Sequence, residues 1–346
     1  MNEPIDYRSS GVNIDVANEL KRELKTVLKN DDPRVLNGVG AFGSLYGIAF
    51  PEMKDPVLVL KTEEPGSKQL LAFQYDRYES IGHDMINHLI NDCIVMGARP
   101  LAVQDAIICG RLEKDKVKRM IVGINEACLT QGCTLTGGEI SEQPAVIEAG
   151  RYILTSSIVG IVDREKIIDG SAITPGDLVI GVESSGLHTN GYSLVRKLLE
   201  RNPALADQPV SGDSFINRVL EPHRCYYNAV KDLFPQGMIK GMAHITGGGI
   251  RENLDRILPG TVNAAVDLVA YRIPDVFSVI KKESGADDDE ILRTFNLGVG
   301  LTIVCAPENA DRVIMHLKKS TWPVYVIGKI IKGDGKVTTS GTLAWS

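Results

Sequence analysis

The sequence predicts an α+β protein built from two α/β domains, and three observations carry that prediction. The chain has 346 residues, and at roughly 100–200 residues per domain this length suits two. Segments with helical spacing of apolar residues alternate with short strand-like runs along the chain, which marks a mixed architecture. A polar stretch at 163–176, ending in Thr174-Pro175-Gly176, separates two strand-like runs, as a linker does. The division is placed between an N-terminal domain of 1–168 and a C-terminal domain of 169–346.

The elements follow in order. Ala17, Leu20, Leu24, Val27 and Leu28 fall at helical spacing, so 14–28 is a helix with Asn13 as its N-cap. Residues 56–60, Pro-Val-Leu-Val-Leu, read as a short buried strand. Over 84–96, Ile86, Leu89, Ile90, Cys93 and Ile94 line one face of an amphipathic helix. Further helices are expected near 114–131, 190–200, 250–258, 274–283 and 308–319. Strands are expected near 101–108, 152–162, 177–183, 262–268, 298–305 and 323–330. Glycine clusters at 38–47, 137–138, 186–191 and 247–249 lie between periodic segments and mark loops.

Composition excludes several classes of function. The net charge of -6 opposes broad, non-specific nucleic-acid binding, which needs a positive field. No apolar run approaches the ~18 residues of a membrane span, and the first residues lack the basic and apolar stretches of a secretory signal. The six cysteines form no Cys-x-x-Cys pair, so neither a zinc site nor a redox motif is expected. These features predict a cytoplasmic protein with no nucleic-acid or membrane partner.

Six constellations carry chemistry. Gly38, Gly40 and Gly43 let backbone N–H groups approach a phosphate, or form a plain surface loop. After the 56–60 strand, Glu63 and Glu64 are placed to hold Mg²⁺, with Lys68 as a point charge on phosphate; an ordinary charged turn has the same composition. On the polar face of the 84–96 helix, Asp84, His88 and Asp92 recur every four residues, with Asn91 beside them. Because Mg²⁺ prefers oxygen, Asp92 and Asp84 are favoured over His88 as metal-linked groups, against a solvated helix face. In Thr136-Gly137-Gly138-Glu139, with Glu142 beyond, Glu139 is expected at a strand end. The loop 184–191 connects a strand to a helix and carries His188, a proton shuttle or a structural residue. Thr246, Gly247, Gly248 and Gly249 precede a helix and make a phosphate cradle or a plain loop. Together they favour an enzyme handling a nucleotide, Mg²⁺ and a second phosphorylated ligand.

In the same order along nearly the whole chain, these motifs resemble the aminoimidazole ribonucleotide synthetases, also called phosphoribosylformylglycinamidine cyclo-ligases. The resemblance runs from Tyr7 and 11–15 through 38–45, then Asn91-Asp92 with Gly97-Ala98-Arg99-Pro100, then 137–139, 184–194, 243–249 and 295–300. It implies a homodimer whose N-terminal domains pair into a barrel, with ATP near the interface. It implies ATP-dependent ring closure of formylglycinamidine ribonucleotide in purine synthesis. Carried over by motif, Gly40, Phe42 and Gly43 cover the ATP phosphates, with Lys29 reaching them and Asp92 beside them. Glu63, Asp92 and Glu139 hold Mg²⁺. His188, Asn190 and Lys68 line the reaction centre, and 246–249 hold the substrate phosphate.

Two departures stand out. The family reads Thr-Asp-Gly-Val-Gly-Thr-Lys at 62–68, where this chain has Glu63, Glu64 and Pro65. Glu63 keeps a hard oxygen ligand on a longer arm, so it is expected still to coordinate and the enzyme to be active. At 141–145 the family's Ala-Glu-Met-Pro-Gly is Ser-Glu-Gln-Pro-Ala here. Two other readings are a non-catalytic nucleotide-binding paralogue and another enzyme of the same ATP-binding superfamily, such as a selenophosphate synthetase or thiamine-monophosphate kinase.

Overall fold

The computed structural model describes residues 10–28, 32–38 and 40–345. Asn13 caps α1 (Ile14–Val27) through its side-chain oxygen, which accepts from the Val16 amide. The Asn13 amide in turn donates to Glu142 Oε2, 2.9 Å away, while Glu142 Oε1 accepts from Leu112. Glu142 therefore fastens α1 to the sheet and does not extend a metal site. The N-terminal part continues with β1 (Pro56–Glu63), α2 (Lys68–Gln74), α3 (Tyr78–Ile94), β2 (Arg99–Cys109), α4 (Lys114–Thr130), β3 (Thr134–Glu142) and β4 (Tyr152–Asp163). The sheet order is β1-β4-β2-β3.

Helices α3 and α4 pack together and cover one face of this sheet. They cross where Gly82 meets Gly123. A Cβ on Gly82 would lie 2.7 Å from the Met120 carbonyl oxygen, and one on Gly123 2.1 Å from that of Glu79. The same glycine hid the first turns of α3 from the periodicity, which predicted a start at 84. Ile81, Met85, Ile86, Leu89 and Ile90 are fully buried, each worth roughly 1.5–3 kcal/mol relative to exposure. Among the described residues the other sheet face carries no helix, and Phe50 packs on Leu101 and Ile161 at one end of it. Its strands alternate more and less exposed residues, and Leu58, Leu60 and Ile153 are exposed there.

Beyond β4 the C-terminal part opens with β5 (Leu178–Glu183) and α5 (Tyr192–Arg201). A two-stranded ribbon follows, β6 (Pro209–Val210) with β7 (Asp213–Ser214), then α6 (Phe215–Val219), α7 (Tyr227–Val230) and β8 (Ile239–His244). The chain finishes with α8 (Gly249–Leu254), β9 (Val262–Asp267), α9 (Asp275–Ser284), α10 (Asp288–Thr294), β10 (Val299–Cys305), α11 (Pro307–Leu317), β11 (Val324–Lys332) and β12 (Val337–Ser340). The second sheet has the order β12-β9-β11-β5-β10-β8. β10 is buried along its whole length, as expected of a strand inside a covered sheet.

Ala145 adopts φ +66°, the left-handed conformation that a Cβ disfavours by about 1–2 kcal/mol. It stands where the resembling family has glycine. In the other departing loop, Glu64 does not take a positive φ; Gly66 does, at +62°.

Candidate active site

Helix α3 is the platform. Asp84, His88 and Asp92 lie one turn apart on one face, and each meets the C-terminal half. Asp84 is fully buried with Lys68. The Lys68 ammonium donates to Asp84 Oδ1 at 2.7 Å, to the His188 carbonyl at 3.1 Å and to the Glu221 carbonyl at 2.7 Å. Its three protons are thereby used. Asp84 Oδ1 also accepts from the His223 amide. Burial pushes the Asp84 carboxyl up to about 6 and the Lys68 ammonium down, against their mutual attraction. Lys68, expected in the reaction centre, and Asp84, expected as a metal-linked group, form a buried ion pair that joins the two halves. Asn87 and Asn91 add to this, donating to the carbonyls of His223 and Arg224.

One turn on, the geometry opens. Lys61 Nζ lies 3.0 Å from both Glu63 Oε2 and Asp92 Oδ2. His88 Nε2 is 3.6 Å from Glu63 Oε2 and 3.8 Å from Asp92 Oδ2. Asp92 Oδ1 accepts from His244 Nδ1 at 2.7 Å. His244 Nε2 faces His223 Nε2 at 2.9 Å, His223 Nδ1 faces Thr189 Oγ1 at 3.5 Å, and Thr189 Oγ1 lies 2.9 Å from His88 Nδ1. With the Asp92 carboxylate as terminal acceptor, one direction satisfies every link. His88 Nδ1–H donates to Thr189, Thr189 O–H to His223, His223 Nε2–H to His244, and His244 Nδ1–H to Asp92. That order leaves the His88 Nε2 lone pair unprotonated and facing the carboxylates.

Electrostatics agree with neutral imidazoles at His88, His188 and His223. Burial, with help from His244, pushes His88 down to about 4, and burial holds His188 and His223 well below the usual histidine value. Burial works to raise the Asp92 pKa, but the His244 hydrogen bond and neighbouring charges outweigh it. The carboxyl is held well below its usual range.

His188 is buried in the left-handed conformation, φ +61°, with its ring stacked on His223 at 3.9 Å between centroids. Its Nε2 accepts from the Ser185 amide, and its Nδ1 is buried without a partner. Asn190 lies closer to the surface. Its Nδ2 is likewise buried without a partner, and a Cβ on Gly247 would sit 3.2 Å from its Oδ1. The fold thus brings Asn190 to the 246–249 loop. Gly248 and Gly249 have φ +93° and +60°, and a Cβ on Gly249 would strike the Leu292 carbonyl at 1.9 Å. Asn253 Nδ2 binds the carbonyls of Thr246, Gly247 and Gly249, which fixes the turn.

The remaining predicted residues lie elsewhere. Register places Glu63, Ser156, Asp105 and Gly138 in one row across the sheet. Glu139 is one residue beyond that row, so it projects from the opposite, helix-free face. Glu139 also stands within β3 and not at a strand end, because the strand continues through the glycines to Glu142. The loop with Gly40, Phe42 and Gly43 is held on that same face: Ser44 Oγ donates to the Thr136 carbonyl and accepts from Gln104. Asn37 ties the loop's ends, donating to the Gly43 carbonyl and accepting from Leu45. Phe42 is fully exposed. Lys29 lies outside the described residues. Sequence reasoning missed Lys61, Thr189 and His223, and it set His88 aside. Lys61 and His88 had a usable signal, since both point toward carboxylates at strand or helix spacing. His223, in an aperiodic segment, had none.

Residues 46–162 match the family described as AIR synthase related protein, N-terminal domain, and residues 174–340 match the corresponding C-terminal domain. The chain is 40% identical over 333 residues to the phosphoribosylformylglycinamidine cyclo-ligase of Chromobacterium violaceum, covering 96% of each. It is 38% identical over 337 residues to that of Neisseria meningitidis serogroup C, covering 97% of this chain and 98% of that one. Among solved structures, thiamine-monophosphate kinase from Stenotrophomonas maltophilia K279a aligns with a TM-score of 0.69 at 18% identity, covering 96% and 98% of the two chains. Hydrogenase maturation protein HypE in complex with ATP aligns at 0.67 and 17%, covering 95% and 92%. These two likenesses speak of the fold alone.

Proposed function

We propose that this chain, which belongs to the phosphoribosylformylglycinamidine cyclo-ligase family, catalyses ATP-dependent ring closure of formylglycinamidine ribonucleotide to aminoimidazole ribonucleotide, releasing ADP and phosphate, in purine biosynthesis. The observation that carries this reading is a likeness of 40% identity spread over 96% of the chain. The γ-phosphoryl group passes to the formyl oxygen. An internal nitrogen then attacks the activated carbon, the C–O bond breaks, and phosphate leaves with its electron pair. The protein's part is to position the reactants and to stabilise developing charge.

In this reading Thr246, Gly247, Gly248 and Gly249 hold the substrate phosphate, and the unpartnered Nδ2 of Asn190 supplies a donor beside them. His188, Asn190 and Lys68 line the reaction centre, with the Lys68 ammonium donating to the His188 carbonyl. Gly40, Phe42 and Gly43 cover the ATP phosphates, with Lys29 assigned to the same task. Mg²⁺ fits Glu63 and Asp92: both offer oxygen donors, and the Lys61 ammonium 3.0 Å from each already marks a cation position between them. Bound there, the ion would neutralise phosphate charge. Glu139, the third ligand the resemblance implies, lies on the opposite face of the sheet and does not join this pair.

The helix-free sheet face, with Leu58, Leu60 and Ile153 exposed, supports a homodimer in which a second copy covers it and the N-terminal domains, 1–168, pair into a barrel. The C-terminal domain, 169–346, completes each site. No helix among the described residues is long and apolar enough to cross a membrane, and a cytoplasmic location is proposed with the pathway.

The test is an assay of the purified protein with ATP, Mg²⁺ and formylglycinamidine ribonucleotide. Aminoimidazole ribonucleotide and ADP are expected in equal amounts. Asn190→Ala should lower kcat/KM by roughly ten-fold or more, the worth of a hydrogen bond to a charged group. Nucleotide binding without product would favour a non-catalytic paralogue.

A further inference from the structure

We infer that Trp345 is a positioning residue for the 246–249 loop, acting on it through α10. The inference rests on the reading of that loop as the substrate-phosphate cradle, and one arm of its test does not depend on the reaction.

Three of the four cradle residues are glycines, so the shape of the loop is set by what packs on it. Asn253 holds it from one side through three of its carbonyls. The other side rests on α10 and the residue after it. A Cβ on Gly249 would strike the Leu292 carbonyl oxygen at 1.9 Å and lie 3.3 Å from that of Phe295, so backbone meets backbone there. The Phe295 ring closes on Gly191, where a Cβ would lie 2.0 Å from its Cε1. It thereby backs the turn that carries Asn190. Arg293 Nε donates to Glu252 Oε1 at 3.1 Å, and Glu252 Oε2 lies 2.7 Å from where a Cβ on Gly248 would be. Arg251, in α8, reaches Asp289 at 3.1 Å. A displacement of α10 therefore displaces one wall of the cradle and the support behind Asn190.

α10 needs anchors. It has seven residues, fewer than the roughly 12–15 at which an isolated helix becomes even marginally stable. Its C-terminal turn is held by the burial of Ile291 and Leu292. Its first turn is held by Trp345. The indole Nε1–H donates to Asp288 Oδ1 at 3.1 Å. The Lys281 ammonium lies 5.6 Å from the centroid of the same ring, pairs with the same Asp288 oxygen at 2.5 Å and donates to the Ala286 carbonyl at 2.9 Å. One ring thus clamps the start of α10 to the end of α9. Trp345 itself is half-buried against the main core, and the chain reaches it from β12 through the buried Leu343. Because Asp288 and Leu292 stand one turn apart on α10, the clamp and the cradle load the same short helix.

The experiment compares the full-length protein with Trp345→Ala and Trp345→Phe. Trp345→Ala should raise KM for formylglycinamidine ribonucleotide by roughly three-fold or more, since it removes both a hydrogen bond to a charged group and a cation–π contact. KM for ATP and kcat should stay within about two-fold, a split that general loosening of the fold would not produce. Trp345→Phe keeps a ring over Lys281 without the N–H. It should fall between parent and Trp345→Ala, and it carries the same test if Trp345→Ala does not fold. Hydrogen exchange is measured on the same proteins without ligand. The amides of α8 (Gly249–Leu254) should exchange faster in the variants, while those of α3 should not. An unchanged substrate KM, an equal rise in both KM values, or unchanged α8 exchange would each overturn the inference. If the parent carries out no ring closure, the assigned reaction fails and the exchange arm alone decides the coupling. If the parent turns over and neither KM nor exchange responds, the inference falls and the assigned reaction stands.

Discussion

Asp84 and Asp92 are the same residue on the same face of the same helix, two turns apart, and each is paired with a lysine. Asp84 meets Lys68 where both side chains are fully buried, and the ammonium is saturated by two backbone carbonyls. Asp92 meets Lys61 where the side chains keep 20% and 36% of their exposure, beside an imidazole with a free lone pair. Coulomb attraction is available to both pairs. Water decides the difference: the buried pair cannot exchange its partner without leaving a naked charge, and the open pair can. The same two residue types therefore make a fastener in one place and a ligand-ready centre in the other.

The sharpest way to break that contrast is Lys68→Met. It should cost about 3–5 kcal/mol at pH 7 by urea unfolding, since Asp84 is left buried without its counter-charge. The double variant Lys68→Met/Asp84→Leu should recover a large part of the loss. A single variant within 1 kcal/mol of the parent, on the order of a surface pair, would show that the pair is not sealed in solution.

A second test uses acid. His188 and His223 are held neutral in the folded state by burial, with pKa values well below 6.5. Between those values and 6.5 the unfolded chain binds more protons than the folded one. Stability is thus present above about pH 6.5 and is lost as the pH falls below it, by up to about 1.4 kcal/mol per pH unit for each imidazole. Urea midpoints at pH 7 and pH 5, in chelator, should differ accordingly. A flat profile would mean that the histidine cluster admits protons without unfolding.

The smallest effect is expected of Lys61→Met. Its pair is partly exposed, and the stability change should be under about 1 kcal/mol. A loss as large as that of Lys68→Met would erase the distinction between the two pairs.

The sequence made much of the scaffold legible. The Asn13 cap, the apolar face of α3 and the strand runs of the second sheet follow from local periodicity, which is the same in the chain as in the fold. Gly137 and Gly138 read as a loop because they lack side chains to alternate, yet they lie inside β3; Asp105 Oδ1 would lie 2.1 Å from a Cβ on Gly138, so the sheet itself requires the gap. The site was legible only in part. The adjacency of Asn190 to Gly247 agrees with two motifs read separately. The burial of Lys68 is not legible in the sequence, because its three acceptors come from positions 84, 188 and 221, far along the chain. Glu139 and Asp92 were grouped by motif, but only register reveals that they project from opposite sides of a sheet.

Lys68, Asp84, Asn87 and Asn91 all find their partners in residues 188–226. On the ribosome, α3 is complete long before that segment emerges. Until then its polar groups have only water as a partner, and its apolar face has the first sheet. The first half can collapse early, but these contacts close only after the segment has been synthesised. Unfolding should run the same sequence backwards, with loss of the 221–226 segment releasing α3's polar groups together. A chain cut between β4 and β5 would therefore expose, on each fragment, a surface of unanswered donors and acceptors that recognises the other half.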